Sequence, residues 1–258
     1  MAENETSNQH AGRVAVVTGS SKGIGAAIAV ELAARGHRVV INYLSSAQEA
    51  AAVVEQIEAA GGTAVAHRAD VCDAEQARGL VARAVEEFGA LDVLVCNANV
   101  GLGAGDVASV EWEVFAGKLN AELAAAFHPT QAALPELAKS GAGSIVYLSS
   151  DSARGPGAPH LLAHGVSKSA LNAYGRFVAK DAAPQGIRVN VLSPGLVRTE
   201  ATAAIPAEMF QHWLDRIPYG RAAEAQDVAR AVAFLASGES EYFVGQVISL
   251  NGGSDLGR

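Results

Sequence analysis

Cysteine is nearly absent from this 258-residue sequence: Cys72 and Cys96 are the only two. That rules out a disulfide framework, and neither has a histidine or second cysteine at the spacing of a metal site. Charge is also scarce, at 18% of residues, and basic residues are the minority, 19 against 27 acidic, for a net charge of −8 and a pI near 5.4. Nucleic acid, which needs a basic face, is not an expected partner. No run approaches the roughly 18 apolar residues of a membrane span. Met1 to Gly12 is polar, lacks the apolar centre of a secretory signal, and is expected to be a mobile tail. A soluble cytoplasmic protein with reduced thiols is the expectation. Half of the residues are hydrophobic, enough for one large α/β core in a single domain over 13–258.

What the chain does have is a regular alternation of strand and helix patterns. Strands are expected at 14–17, 38–43, 63–67, 91–96, 144–149, 187–192 and 246–250. Helices are expected at 26–35, 47–60, 74–88, about 110–139, about 161–181 and 225–236. Gly61-Gly62 and Gly89 read as helix stops. Such alternation predicts a three-layer, doubly wound Rossmann fold with a seven-stranded parallel sheet. Ligands then bind beyond the carboxyl ends of the strands. The first of those ends carries Thr18-Gly19-Ser20-Ser21-Lys22-Gly23-Ile24-Gly25 before an Ala-rich segment. Glycines at a strand-to-helix junction let backbone approach a pyrophosphate, and the helix N-terminus offers unpaired N–H groups to it.

Thr-Gly-x-x-x-Gly-x-Gly resembles the cofactor turn of the short-chain dehydrogenases/reductases, and further segments in order extend the resemblance over about residues 12–255. It implies a nicotinamide cofactor held by Gly19, Ser21, Lys22, Gly23, Ile24 and Gly25, by Asn42 after the second strand, and by Asp70 and Val71 after the third. Asn97 and Ala98 after the fourth strand, and Pro194, Gly195, Val197 and Thr199 after the sixth, complete that set. No acidic residue stands in 42–46 to grip the ribose hydroxyls of NAD, and Lys22 is available to a 2′-phosphate, so NADPH is favoured over NADH. As a bare sequence feature, Lys22 is equally a solvated surface lysine and Asp70 equally a helix cap. Asn99 stands where the family has a glycine, so the backbone there either avoids glycine-only conformations or uses asparagine's tolerance of positive φ.

The resemblance also implies a catalytic set: Asn120 to hold a relay water, Ser150 for the substrate oxygen, and Lys168 for the nicotinamide ribose. The family's Tyr-x-x-x-Lys, however, reads His164-Gly165-Val166-Ser167-Lys168. Of the nearby tyrosines, Tyr147 precedes the serine on its strand and Tyr174 lies on another face of the helix. Three readings of His164 stay open. It is the acid of a carbonyl reductase, weakened by neighbouring Lys168 unless a carboxylate such as Asp151 offsets it. Alternatively, the cleft performs non-redox chemistry (dehydration, isomerisation or cyclisation) or only binds a ligand. Or His164 merely packs and the site is a remnant. Redox is favoured because Asn190 to Thr199 keeps the family's nicotinamide segment. From 200 to 221, Pro206, Pro218 and Gly220 bracket an amphipathic piece with Met209, Phe210, Trp213 and Leu214, implied by the resemblance to be a lid over a partly apolar substrate. The closing segment Phe243 to Gly253 resembles the family's C-terminal strand and tail, with Asn251 where an aspartate is usual, and the resemblance implies a homotetramer or homodimer.

Overall fold

The computed structural model describes residues 12–155 and 159–256. Apart from Gly12, the expected N-terminal tail lies outside them. The chain runs β1 (Val14–Val17), α1 (Gly23–Ala34), β2 (Arg38–Tyr43), α2 (Ala47–Ala59), β3 (Thr63–Arg68), α3 (Ala74–Phe88), β4 (Val93–Cys96), α4 (Trp112–Ser140) and β5 (Ser144–Leu148). It continues through α5 (Leu162–Ala182), β6 (Arg188–Pro194), β7 (Val197–Arg198), α6 (Glu200–Ala203), α7 (Ala207–Leu214), β8 (Ala223–Glu224), α8 (Ala225–Ala236) and β9 (Val247–Leu250).

Seven strands form one parallel sheet in the order β3-β2-β1-β4-β5-β6-β9. The chain walks outward from β1 to β3 and then returns to β4 on β1's other side, so the crevice between the ends of β1 and β4 is the switch point where ligands bind in such sheets. Side chains of a strand alternate between faces, and both faces are covered. Ala15, Val17, Val93, Val95 and Val146 pack under Ile28, Leu32, Val228 and Val232 of α1 and α8. Val14, Val16, Leu94, Ile145 and Tyr147 pack under α3, α4 and α5. This is why the strands read as continuous apolar runs.

The β7–β8 pair, two residues a side, was not expected. Pro129 and Pro135 lie inside the 29-residue α4, where each removes a helix hydrogen bond. The helix continues because Ala125, Ala126, Ala133 and Leu137 are packed on the sheet. No helix of the described residues is long and apolar enough to cross a membrane. Both cysteines are free, and burial pushes the thiol of Cys96 up to about 12 and that of Cys72 up to about 11.

Candidate active site

The glycine turn is built by close approach. A Cβ on Gly25 would lie 2.4 Å from the Gly19 carbonyl and 2.5 Å from Asn97 Nδ2, and one on Gly19, at φ +60°, would lie 2.8 Å from Ala98 Cα. Asn97 donates from Nδ2 to the carbonyls of Thr18 and Gly19, and Thr18 Oγ1 accepts from the N–H groups of Asn97 and Ala98. The ends of β1 and β4 are thus locked together under the turn. Above it, Gly23 (φ +58°) faces open space, and α1 starts with no side-chain cap and no acid in its first turn. An uncapped helix start under a glycine turn fits a pyrophosphate. Ser21 is buried, Ile24 packs on the core, and Lys22 is exposed at the N-cap.

Asn42 requires a correction. Its side chain is buried: Oδ1 accepts from Gly19 N–H at 3.0 Å and Nδ2 donates to Ala69 O at 3.0 Å. It shapes the turn instead of facing a ligand. A cation not expected there, Arg68, ends β3 opposite Tyr43 and donates to Leu44 O, so Arg68 and Lys22 are the exposed basic residues by the loop after β2. Asp70 does not cap α3. Asp73 does, accepting from Glu75 and Gln76 N–H, while Asp70 Oδ1 accepts from Cys72 N–H and Val71 is buried. Asn99 is exposed without positive φ, so it uses a conformation open to any residue.

Beyond β5, the start of α5 is stapled to the strand end. Lys168 Nζ donates to Leu148 O at 2.7 Å, Ser149 Oγ to Lys168 O, and Ser169 Oγ to Ala153 O. Gly165 permits this approach, since a Cβ there would lie 2.8 Å from Ser152 O. Ser150 Oγ accepts from Ser152 N–H at 3.2 Å, leaving its own proton free.

The relay position also needs correcting. Asn120 is exposed on the outer side of α4. Two residues on, about 200° around the helix, Glu122 points inward: Oε1 accepts from Lys168 Nζ at 2.6 Å and Oε2 from Lys118 Nζ at 2.5 Å. All three side chains are at most 8% exposed. Burial works against Glu122's charge, but the two lysines outweigh it and hold the carboxyl below its ordinary range. Burial lowers Lys168, with Glu122 opposing. Sequence reasoning missed Lys118 and Glu122. Their i, i+4 spacing on the stripe that also buries Ala126, Pro129 and Ala133 was the available signal.

This group sets the state of His164. Its pKa is lowered to about 4, by burial first and then by Lys168 and Lys118, with Glu122 opposing. At neutral pH it is a neutral imidazole whose Nδ1 is shielded and has no partner. The carboxylate near it is Glu122, not Asp151. Asp151 Oδ2 is turned to the C-terminal segment, accepting from Asn251 Nδ2 at 2.8 Å and Ser254 Oγ at 2.9 Å. An asparagine at 251 can donate to Asp151 where an aspartate would repel it. No tyrosine replaces His164: Tyr147 is fully buried against Thr130, and Tyr174 packs edge-on against it.

Ser150 opens into a cleft of about 170 Å³ lined by Leu161, Leu196, Trp213, Arg216, Ile217 and Ser254, among others. Of the 200–221 segment, Trp213 reaches this cleft, whereas Phe210 lies under the Arg198 guanidinium. A larger hollow beyond Leu196 and Ile217 holds no member of the polar cluster. At its edge Pro194 and Val197 are buried, Gly195 packs on Asn251, and Thr199 caps α6 by accepting from Thr202 N–H. The described residues contain no group that could hold a metal ion.

A switch-point crevice with an uncapped helix start, and a polar cluster beside it, define a dinucleotide-binding α/β enzyme. The family profile described as enoyl-(acyl carrier protein) reductase matches residues 19–255. An uncharacterised oxidoreductase of Methylorubrum extorquens is 46% identical over 94% of this chain and 97% of its own. The 3-oxoacyl-[acyl-carrier-protein] reductase FabG of Staphylococcus aureus is 35% identical over 93% of this chain and 96% of its own. A short-chain dehydrogenase from Burkholderia cenocepacia, solved in complex with NADP, superimposes with a TM-score of 0.90 at 36% identity, over 96% of this chain and all of its own. The chain belongs to the short-chain dehydrogenase/reductase family and is an oxidoreductase of that family.

Proposed function

We propose that this enzyme is an NADPH-dependent carbonyl reductase acting on a partly apolar ketone. The observation that carries the reading is the buried Lys118–Glu122–Lys168 group, two cations on one carboxylate, beside neutral His164 and next to the strand end that presents Ser150. When bound, NADPH supplies the hydride. The glycine turn and the N-terminus of α1 would hold its pyrophosphate, Lys22 and Arg68 its 2′-phosphate, Asp70 and Val71 the adenine side, and Asn97, Ala98, Lys168 and the segment Pro194–Thr199 its nicotinamide half.

Ser150 Oγ donates to the substrate carbonyl. A neutral imidazole is a poor proton source but a good hydrogen-bond donor to an oxygen gaining charge. His164 therefore polarises the same oxygen, and the excess positive charge of the lysines stabilises the alkoxide, which takes its proton from solvent through the cluster. The 200–221 segment, with Trp213 on the cleft, serves as the lid that excludes water.

The test begins with cofactor titrations. Micromolar NADPH binding and much weaker NADH binding are expected, with Lys22→Ala and Arg68→Ala weakening NADPH alone. Equal affinity for both would remove the NADPH assignment, and binding of neither would remove the reductase reading.

The same reading includes self-association as a homodimer or homotetramer. Val166, Ala170, Ala173 and Phe177 form one apolar stripe on α5, with Phe177 72% exposed, and Phe127 of α4 is exposed beside it. A stripe of this kind is costly to leave in water. Phe177→Glu is expected to lower the mass measured by light scattering to that of a monomer; an unchanged mass would dismiss this face as the interface.

A further inference from the structure

The arginines of the segments that flank the cleft are not equivalent, and of them only Arg216 lines it. Arg154 is paired with Asp255, Arg198 sits by Glu224 at 3.6 Å and over Phe210, and Arg221 is held by Asp227 at 2.7 Å. Arg216 lines the same cleft as Ser150 and has no acidic partner among the described residues. It stands just past the end of α7, where its backbone N–H donates to Trp213 O. The acid in the described wall, Asp151, forms no ion pair with Arg216: its Oδ2 accepts from Asn251 and Ser254, and its Oδ1 is buried without a hydrogen-bond partner. The cleft lining therefore combines the Ser150 hydroxyl, the apolar side chains of Leu161, Leu196, Trp213 and Ile217, the Asp151 carboxylate, and an exposed arginine that makes no ion pair among the described residues.

We propose that the cleft selects substrates bearing a carboxylate, with Arg216 as the residue that recognises it. An exposed guanidinium with no ion-pair partner, next to an apolar wall, can meet a carboxylate with two parallel N–H donors, and such charge-assisted bonds are stronger than neutral ones. A carbonyl held at Ser150 and a carboxylate held at Arg216 within one cleft describe a keto acid as the substrate class. That the group at Ser150 is a ketone rests on the reductase reading; the recognition of the carboxylate does not.

Matched pairs test this: 4-oxo-4-phenylbutanoate and 5-oxohexanoate, each against its methyl ester, with the unaltered enzyme, Arg216→Leu and Arg216→Lys. Two readouts are taken, NADPH consumption and quenching of Trp213 fluorescence in a Trp112→Phe background. The acids are expected to exceed their esters by about 10- to 100-fold in kcat/KM and in affinity. Arg216→Leu should erase that preference by weakening the acids alone, and Arg216→Lys should keep part of it. Acids that bind through Arg216 without being reduced would uphold carboxylate recognition and remove the reductase reading. Esters reduced as well as acids, a preference that survives Arg216→Leu, or no binding of either acid would overturn the proposal.

Discussion

Glu122→Leu is expected to be the most destabilising single substitution at the site, costing about 3–5 kcal/mol. Glu122 is the one carboxylate between Lys118 and Lys168, and removing it leaves two ammonium groups facing each other out of water. Lys118→Met leaves the Glu122–Lys168 pair intact and neutral as a unit, so its cost should be far smaller. The double substitution Lys118→Met/Glu122→Leu should recover part of the loss, because only one unpaired charge remains. Such non-additivity is the signature of a shared network. The sign with pH follows. Burial already lowers Lys168, and without Glu122 opposing it the folded pKa of this lysine falls further below its unfolded value near 10.4, so the unfolded chain binds more protons and the stability of Glu122→Leu rises with pH from 7 toward 10. Urea unfolding at pH 7 and 9.5 measures all of this. Stability of Glu122→Leu within about 0.5 kcal/mol of the unaltered protein would mean that the three groups do not share charge as their distances imply.

That network also marks where the sequence stopped being legible. The strands could be read because a parallel sheet covered on both faces demands uninterrupted apolar residues, and β1, β2 and α3 lie where the pattern put them. The same demand hid the role of Asn42. In a strand buried on both sides, alternation does not say which face a polar side chain takes, and only the structure turns its amide toward Gly19 and Ala69. On α4, Asn120 drew attention as a residue type, whereas helix geometry favours Glu122, one turn from Lys118 on the buried stripe. A charged pair at i, i+4 among alanines usually signals a solvated face. Here the third member, Lys168, comes from another helix, a contact between residues 46 positions apart that no local pattern encodes. Similarly, Asp151, read as a candidate partner for His164, and Asn251, read as a departure from the family's aspartate, stand unconnected in the sequence until their hydrogen bond joins them.

His164→Phe is expected to lower kcat/KM by about 10²- to 10⁴-fold, the usual worth of a positioned hydrogen-bonding or acid–base group, while changing NADPH affinity less than twofold. Its form of participation is tested by pH. With a pKa near 4, His164 is neutral throughout pH 5.5–8, so its titration leaves the rate flat across that range. An imidazolium acid would instead give a rate that climbs as pH falls through 6.5. The same shift has a folding consequence. A histidine whose folded pKa lies below its unfolded value of about 6.5 takes up protons on unfolding, so its contribution is complete above pH 6.5 and is lost as pH falls toward 4. By pH 4.5 that loss is about 2 kcal/mol, and His164→Phe should be spared it. His164→Tyr separates the remaining alternatives. A phenol keeps the donor and is not obliged to be charged, so a cleft that reduces ketones should retain or gain activity. A folded, NADPH-binding but inactive His164→Tyr would mean that imidazole is needed for something a phenol cannot do. Proton abstraction by a neutral base is that chemistry, and it would assign the cleft to elimination or isomerisation.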